Sequence, residues 1–210
     1  MISTRDGSPT LYSERFNQHY HSVHGAIQES QHVFLDMGLR ALADRPQLRI
    51  LEMGFGTGLN ALMTALQATM PVHYLSLEAY PISQAQWEVL DYGERLGDQA
   101  LFLAMHSAPW NVPVQLRPNF ILEKSYTTLE AFPGTQHIDL VYWDAFAPDS
   151  QPELWTVEVF SNIYRSMNDA GILTTYSAKG DVRRALMAAG FQVAKVPGPP
   201  GKREMLRATK

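Results

Sequence analysis

Residues 48–69 read LRILEMGFGTGLNALMTALQAT, and their order limits the chain more than any other stretch. An apolar run reaching Met53 gives way to glycines at 54, 56 and 58, and a helical pattern follows at once. A strand, a glycine turn and a helix in that order begin a crossover, and crossovers in one sheet are right-handed and join parallel strands. The rest of the chain repeats the unit. VHYLSLEAY (72–80) reads as a second strand with a helix over about 83–96; NFILEKS and IDLVYWD are two more strands; PELWTVEVFSNIYRSM is a helix opening with Pro152. GILTTYS then precedes the helix KGDVRRALMAAG, while FQVAKV and REMLRAT flank PGPPGK as an antiparallel hairpin. The expectation is an α/β, Rossmann-like fold: a mostly parallel sheet with an antiparallel C-terminal hairpin strand.

Ahead of this lies a different prelude. TRDGSPT carries an Asp-Gly hairpin signal, and Val33, Phe34, Met37, Leu39 and Leu42 recur as one face of a helix over 28–42. We therefore expect residues 1–44 to be an N-terminal extension, hairpin and helix, that covers the site of a domain formed by 45–210.

No cysteine occurs, so disulfides, thiolate nucleophiles and cysteine-ligated metals are excluded. No apolar run approaches the length of a membrane span and the N-terminus has no secretory apolar core, so a cytoplasmic location and no membrane partner are expected. The net charge of −4 is uneven: residues from Lys179 onward carry +6, against −10 for the rest. Such asymmetry suits a polyanionic partner as well as it suits a solvated basic edge.

In open α/β sheets ligands bind beyond the carboxyl ends of the strands. Glu52 with Gly54, Gly56 and Gly58 forms E-x-G-x-G-x-G, which is not the G-x-G-x-x-G dinucleotide fingerprint and lacks the Gly-Lys-Ser/Thr of a phosphate loop. Glu78 ends the second strand 20 residues beyond Gly58, the spacing at which a carboxylate accepts both hydroxyls of a ribose. The third strand ends in Lys124 and Ser125, leaving Ser125 or the backbone near Tyr126 for an adenine. Asp144 ends the fourth strand, expected beside the first, so its carboxylate should share the crevice, with Phe146 and Pro148 as a wall. A purely structural role would leave the glycines shaping a turn and Asp144 capping the next one; for Asp144 the two roles are compatible. Trp143 and Trp155 are expected to pack.

The glycine motif has the form seen in class I S-adenosylmethionine-dependent methyltransferases. Together with DGSPTLYSERFNQHYHSVHGAIQESQHVFLDMGL, LSLEAYP and YWDAFAPDSQPELWT it resembles the methyltransferase domain of the bacterial tRNA 5-methylaminomethyl-2-thiouridine biosynthesis enzymes, the MnmC/MnmD family. The bifunctional members add a flavin-dependent domain of a few hundred residues, so 210 residues look like the stand-alone methyltransferase form without flavin. The resemblance implies that Glu52, Gly54, Gly56, Gly58, Asn60, Glu78, Ser125 and Asp144 hold S-adenosyl-L-methionine, with Asp144 also catalytic. Tyr20, His21, Phe146 and Pro148 are expected to meet the substrate, and the +6 segment, through Lys202 and Arg203, the tRNA.

The implied reaction moves a methyl group from S-adenosylmethionine to the amine of 5-aminomethyl(2-thio)uridine at the tRNA wobble position. The expected partner is the anticodon arm, with no obligate protein partner. His19, His21 and His24 lack the helical spacing of a paired metal site, so no metal is expected. A small-molecule N-methyltransferase and an aminopropyltransferase-like enzyme are the rivals, because both hold an amine against an acidic strand end. A tRNA-binding module with an idle cofactor fold is the non-enzymatic alternative.

Overall fold

A computed structural model describes residues 1–132 and 134–210. Short pairs open the chain: β1 (Ile2–Ser3) with β2 (Pro9–Thr10), and β3 (Tyr12–Ser13) with β4 (Gln18–His19). The Asp-Gly turn between β1 and β2 does more than reverse the chain. Asp6 and Ser8 accept the backbone N–H groups of Gln28 and Ala26, so they satisfy the otherwise unpaired start of α1 (Ala26–Ser30) from a distance.

The helix expected over 28–42 is instead α1, a π-helical turn at Gln31–Asp36 and a 3-10 turn at Leu39–Leu42. The apolar face survives the break because Val33, Phe34, Leu35, Leu39 and Leu42 are all buried. A Cβ at Gly38 would stand 2.5 Å from the Phe34 carbonyl oxygen, so the chain turns tightly where a regular helix would have continued.

The central sheet then forms in the expected way. β5 (Leu48–Met53) leads into α2 (Leu59–Gln67), and β6 (Val72–Glu78) into α3 (Gln84–Trp87) and α4 (Tyr92–Leu96). The single helix expected over 83–96 is thus two: Ser83 makes a capping box for α3, and Gly97, with φ 82°, closes α4. α5 (Gln99–Ser107) and β7 (Pro113–Arg117), absent from the sequence reading, come next, followed by β8 (Phe120–Tyr126) and β9 (Ile138–Trp143). Pro152 opens a 3-10 turn at Pro152–Trp155, and α6 (Val157–Ser166) starts separately where the Thr156 side chain accepts from the Val159 N–H. β10 (Met167–Thr175), α7 (Gly180–Ala188), β11 (Gln192–Pro197) and β12 (Glu204–Thr209) complete the chain.

The eight-stranded sheet has the order β11-β12-β10-β9-β5-β6-β8-β7. Its middle five strands, β10-β9-β5-β6-β8, are parallel; β12 is antiparallel to β10 and β7 antiparallel to β8. The terminal hairpin adds to the sheet edge as expected, with β12 paired to β10 and β11 outermost. Alternation splits the core between two faces. Leu140 and Tyr142 of β9 pack under α2 and α5, while Ile138, Val141 and Trp143 pack under α6 and α7. Trp143 and Trp155 do pack as expected, edge to face at 6.4 Å between centroids.

Candidate active site

β5 and β9 are neighbours in register from Ile50↔Leu140 to Met53↔Trp143, so the glycine turn and Asp144 leave the sheet side by side. A cleft of about 440 Å3 opens there, between the strand ends and residues 16–23 of the extension. Gly54, Gly56, Asn60, Glu78, Asp144, Tyr20, His21, Phe146 and Lys202 all line it.

Gly56 shows why the turn needs glycine. Its φ is 50°, a Cβ would stand 3.2 Å from the Tyr20 ring, and its N–H donates to Glu78 Oε2 at 2.9 Å. Glu78 Oε1 accepts the Tyr80 N–H at 2.7 Å, so this carboxylate ties two loops together at the cleft wall. Burial raises its pKa, against the pull of those backbone donors.

The loop after β9 is held from three sides. Gln18 accepts the Ala147 N–H at 3.1 Å, Tyr176 donates to the Ala145 carbonyl at 2.9 Å, and Trp155 Nε1 donates to the Phe146 carbonyl at 2.9 Å. Aromatic residues at these positions therefore fix a non-repetitive backbone whose polar groups would otherwise go unpaired. On the cleft side Phe146 stacks on Phe16 at 4.3 Å and 22°, and meets Tyr20 edge-on at 5.2 Å. Tyr80 touches Phe16 in turn, at 5.7 Å.

Asp144 sits at the bottom. Asn60 Nδ2 donates to its Oδ2 at 2.8 Å, while the Asn60 side-chain oxygen Oδ1 is buried with no partner among the described residues. Burial pushes the Asp144 pKa well above the usual aspartate range, and the nearby charges of Glu29 and Glu52 push the same way; Asn60 and Lys202 oppose them. The site is therefore short of positive charge. His21 does not supply it: half-buried, with Nε2 2.6 Å from Thr57 Oγ1, it is desolvated so that its pKa falls to about 4 and the ring stays neutral.

Five expected site residues lie off the cleft lining. Glu52 is fully buried one strand-turn below, where Ser76 Oγ donates to it at 2.7 Å, and burial raises its pKa to about 8. Gly58, with φ 74°, shapes the start of α2 behind the turn. Ser125 is half-buried within β8, and the wall beyond that strand is made instead by residues 127–130. Pro148 and Arg203 are also absent from the lining. Lys202 differs in another sense: expected on a basic outer patch, it turns inward to Glu29 at 3.0 Å.

Sequence reasoning missed Glu29, Tyr176, Thr57, Gln18 and Phe16 as lining residues. Tyr176 follows the carboxyl end of β10, so the strand-end rule that found Asp144 could have found it. Glu29 had no local signal, because a buried acid on α1 reads as any helical glutamate.

Among the described residues no group of three His, Asp or Glu could hold a metal, and no helix is long and apolar enough to cross a membrane. The family model for S-adenosyl-L-methionine-dependent methyltransferases matches residues 115–210. The tRNA 5-methylaminomethyl-2-thiouridine biosynthesis bifunctional protein MnmC of Cupriavidus metallidurans is 34% identical over 97% of this chain and 33% of its own length. That of Nitrosospira multiformis is 36% identical over 99% of this chain and 36% of its own. The crystal structure of MNMC2 from Aquifex aeolicus superposes with a TM-score of 0.76 at 26% identity, covering 99% of this chain and 69% of that one. Over nearly its whole length this chain is similar to MnmC proteins. It spans about a third of the length of the curated relatives it matches.

The residues present fit S-adenosylmethionine, the methyl donor that the matching family model implies. Gly54 and Gly56 keep positive φ and open backbone toward the cleft, and Glu78 offers a carboxylate at the second strand end.

Proposed function

We propose that this methyltransferase methylates the primary amine of 5-aminomethyl(2-thio)uridine at the tRNA wobble position, giving the methylaminomethyl base. The observation that carries the reading is a half-buried Asp144, held by Asn60 through Oδ2, at the end of a cleft walled by Phe16, Phe146 and Tyr20. A flat base finds stacking surface on those rings, and its alkylammonium finds the carboxylate.

When bound, S-adenosylmethionine supplies an electrophilic methyl on a sulfonium. The chain must supply the rest. An alkylamine resembling lysine has a pKa of about 10, whereas an ordinary aspartate lies near 4, a gap that makes proton transfer between them unfavourable. Raising Asp144 narrows that gap, so the same group that attracts the ammonium is a fitter acceptor for its proton. Once that proton has passed on to water, Asp144 is again a carboxylate, and it stabilises the positive charge that the amine nitrogen gains as the new bond forms. Asn60 fixes the carboxylate's orientation through Oδ2 and leaves Oδ1 free for the amine.

The test is a methyl-transfer assay on tRNA bearing the aminomethyl base, with mass spectrometry of the digested nucleosides. A gain of one methyl on that nucleoside is expected. Cofactor binding with transfer only to free amines would favour a small-molecule enzyme, and no cofactor binding at all would favour a tRNA-binding module.

A further inference from the structure

Among the described residues, the one cation that lines the cleft belongs to a flexible type of side chain. Lys202 extends from the loop between β11 and β12, places Nζ 3.0 Å from Glu29 Oε1, and lies 4.3 Å from the centre of the Tyr176 ring. Its two partners are fixed. Glu29 Oε2 accepts the Ser22 N–H at 2.9 Å, and the Tyr176 hydroxyl is anchored on the Ala145 carbonyl one residue from Asp144. The exposures differ accordingly, 35% for the lysine side chain and 11% for the glutamate. A carboxylate and an aromatic face at right reach of one ammonium make a cation site, and a lysine tip is chemically the CH2–NH3+ of an aminomethyl group.

We propose that Glu29 and Tyr176 form an alkylammonium subsite beside Asp144, filled in the free protein by the chain's own Lys202, which the acceptor amine displaces. The displaced lysine swings toward the cleft mouth, where a nucleotide phosphate gives it a new partner. This rests on the aminomethyluridine reading for the identity of the acceptor, but the subsite itself needs only an amine. Glu29 then shares the recognition of the ammonium with Asp144, and Lys202 holds the empty site closed to metal ions and water by occupying it.

The test is calorimetric titration of 5-aminomethyluridine nucleoside, and separately of n-propylammonium, into protein saturated with S-adenosylhomocysteine. Lys202→Met keeps the stem and removes the occupant, so both probes should bind about five- to tenfold tighter than to wild type, the scale of one partly exposed ion pair with a cation–π contact. Glu29→Gln should weaken both about tenfold while S-adenosylhomocysteine affinity stays within twofold. A purely structural Lys202 would show unchanged or weaker binding of both probes in Lys202→Met, and that result overturns the subsite. Tighter n-propylammonium binding without tighter nucleoside binding supports the subsite and counts against aminomethyluridine as the acceptor.

Discussion

Individual carboxylates carry most of the site's physics, and each behaves differently. Glu78 is already committed to the N–H groups of Gly56 and Tyr80, so a ribose would use the acceptor capacity left over. Glu78→Gln turns one of those contacts into an NH2 facing an N–H. S-adenosylmethionine should bind more weakly by roughly 1.5–3 kcal/mol, the scale of a hydrogen bond to a charged group, and calorimetry reads it directly. Unchanged affinity would place the ribose elsewhere. Glu52 is the opposite case, a buried acid whose pKa rises to about 8 and which touches Ser76 rather than the cleft. The folded state holds its proton more tightly than the unfolded chain does, so between about pH 4.5 and 8 this group makes stability fall as pH rises. Glu52→Gln should flatten that fall, which otherwise contributes at most about 1.4 kcal/mol per pH unit, in urea titrations across the range. A pH profile identical to wild type would mean that Glu52 ionises freely.

At the scale of elements, what was legible in the sequence had short-range causes. The turn from β5 to α2 was readable because glycines at alternate positions follow an apolar run, and β9 because six consecutive buried residues are covered on both faces. α5 and β7 escaped notice. β7 carries no fully buried residue, so it has no alternating apolar signal, and it exists because β8 needs an antiparallel edge partner. Ser125 was placed in the site by analogy with other strand ends, yet β8 runs on to Tyr126 and its lining residues come later. The side-chain network that brings Glu29 and Lys202 to Asp144 joins residues 173 positions apart, and no window of sequence contains it. The extension between β3 and α1 offers a test of its own. If Phe16 is part of the surface on which a base rests, Phe16→Ala should raise the Michaelis constant for tRNA about tenfold, the scale of one base–aromatic stack, with S-adenosylmethionine affinity unchanged. An unaltered constant would reduce the ring to packing on Phe146.

For the whole molecule, the basic C-terminal third looks different once it is folded. Lys179, Arg184, Lys195 and Lys202 each pair with an acid, leaving Arg183, Arg203, Arg207 and Lys210 without an ion-pair partner among the described residues. Long-range attraction for a phosphate backbone then rests on these four side chains rather than on the full +6. Arg183→Glu with Arg203→Glu should raise the tRNA Michaelis constant and flatten its dependence on salt, without touching cofactor affinity. Identical salt slopes would show that tRNA approaches by another face.

The claim on which the rest depends is that the sheet brings Asp144 to the reacting amine while the glycine turn and Glu78 hold the cofactor separately. Measuring S-adenosylmethionine affinity and single-turnover methyl transfer in the same Asp144→Ala preparation tests it most directly. The account predicts transfer slowed by about a hundredfold or more, the scale of a lost acid–base and electrostatic contact, with affinity changed by less than threefold. Equal losses in binding and transfer would contradict it, because Asp144 would then belong to the cofactor's binding site and not to the amine's.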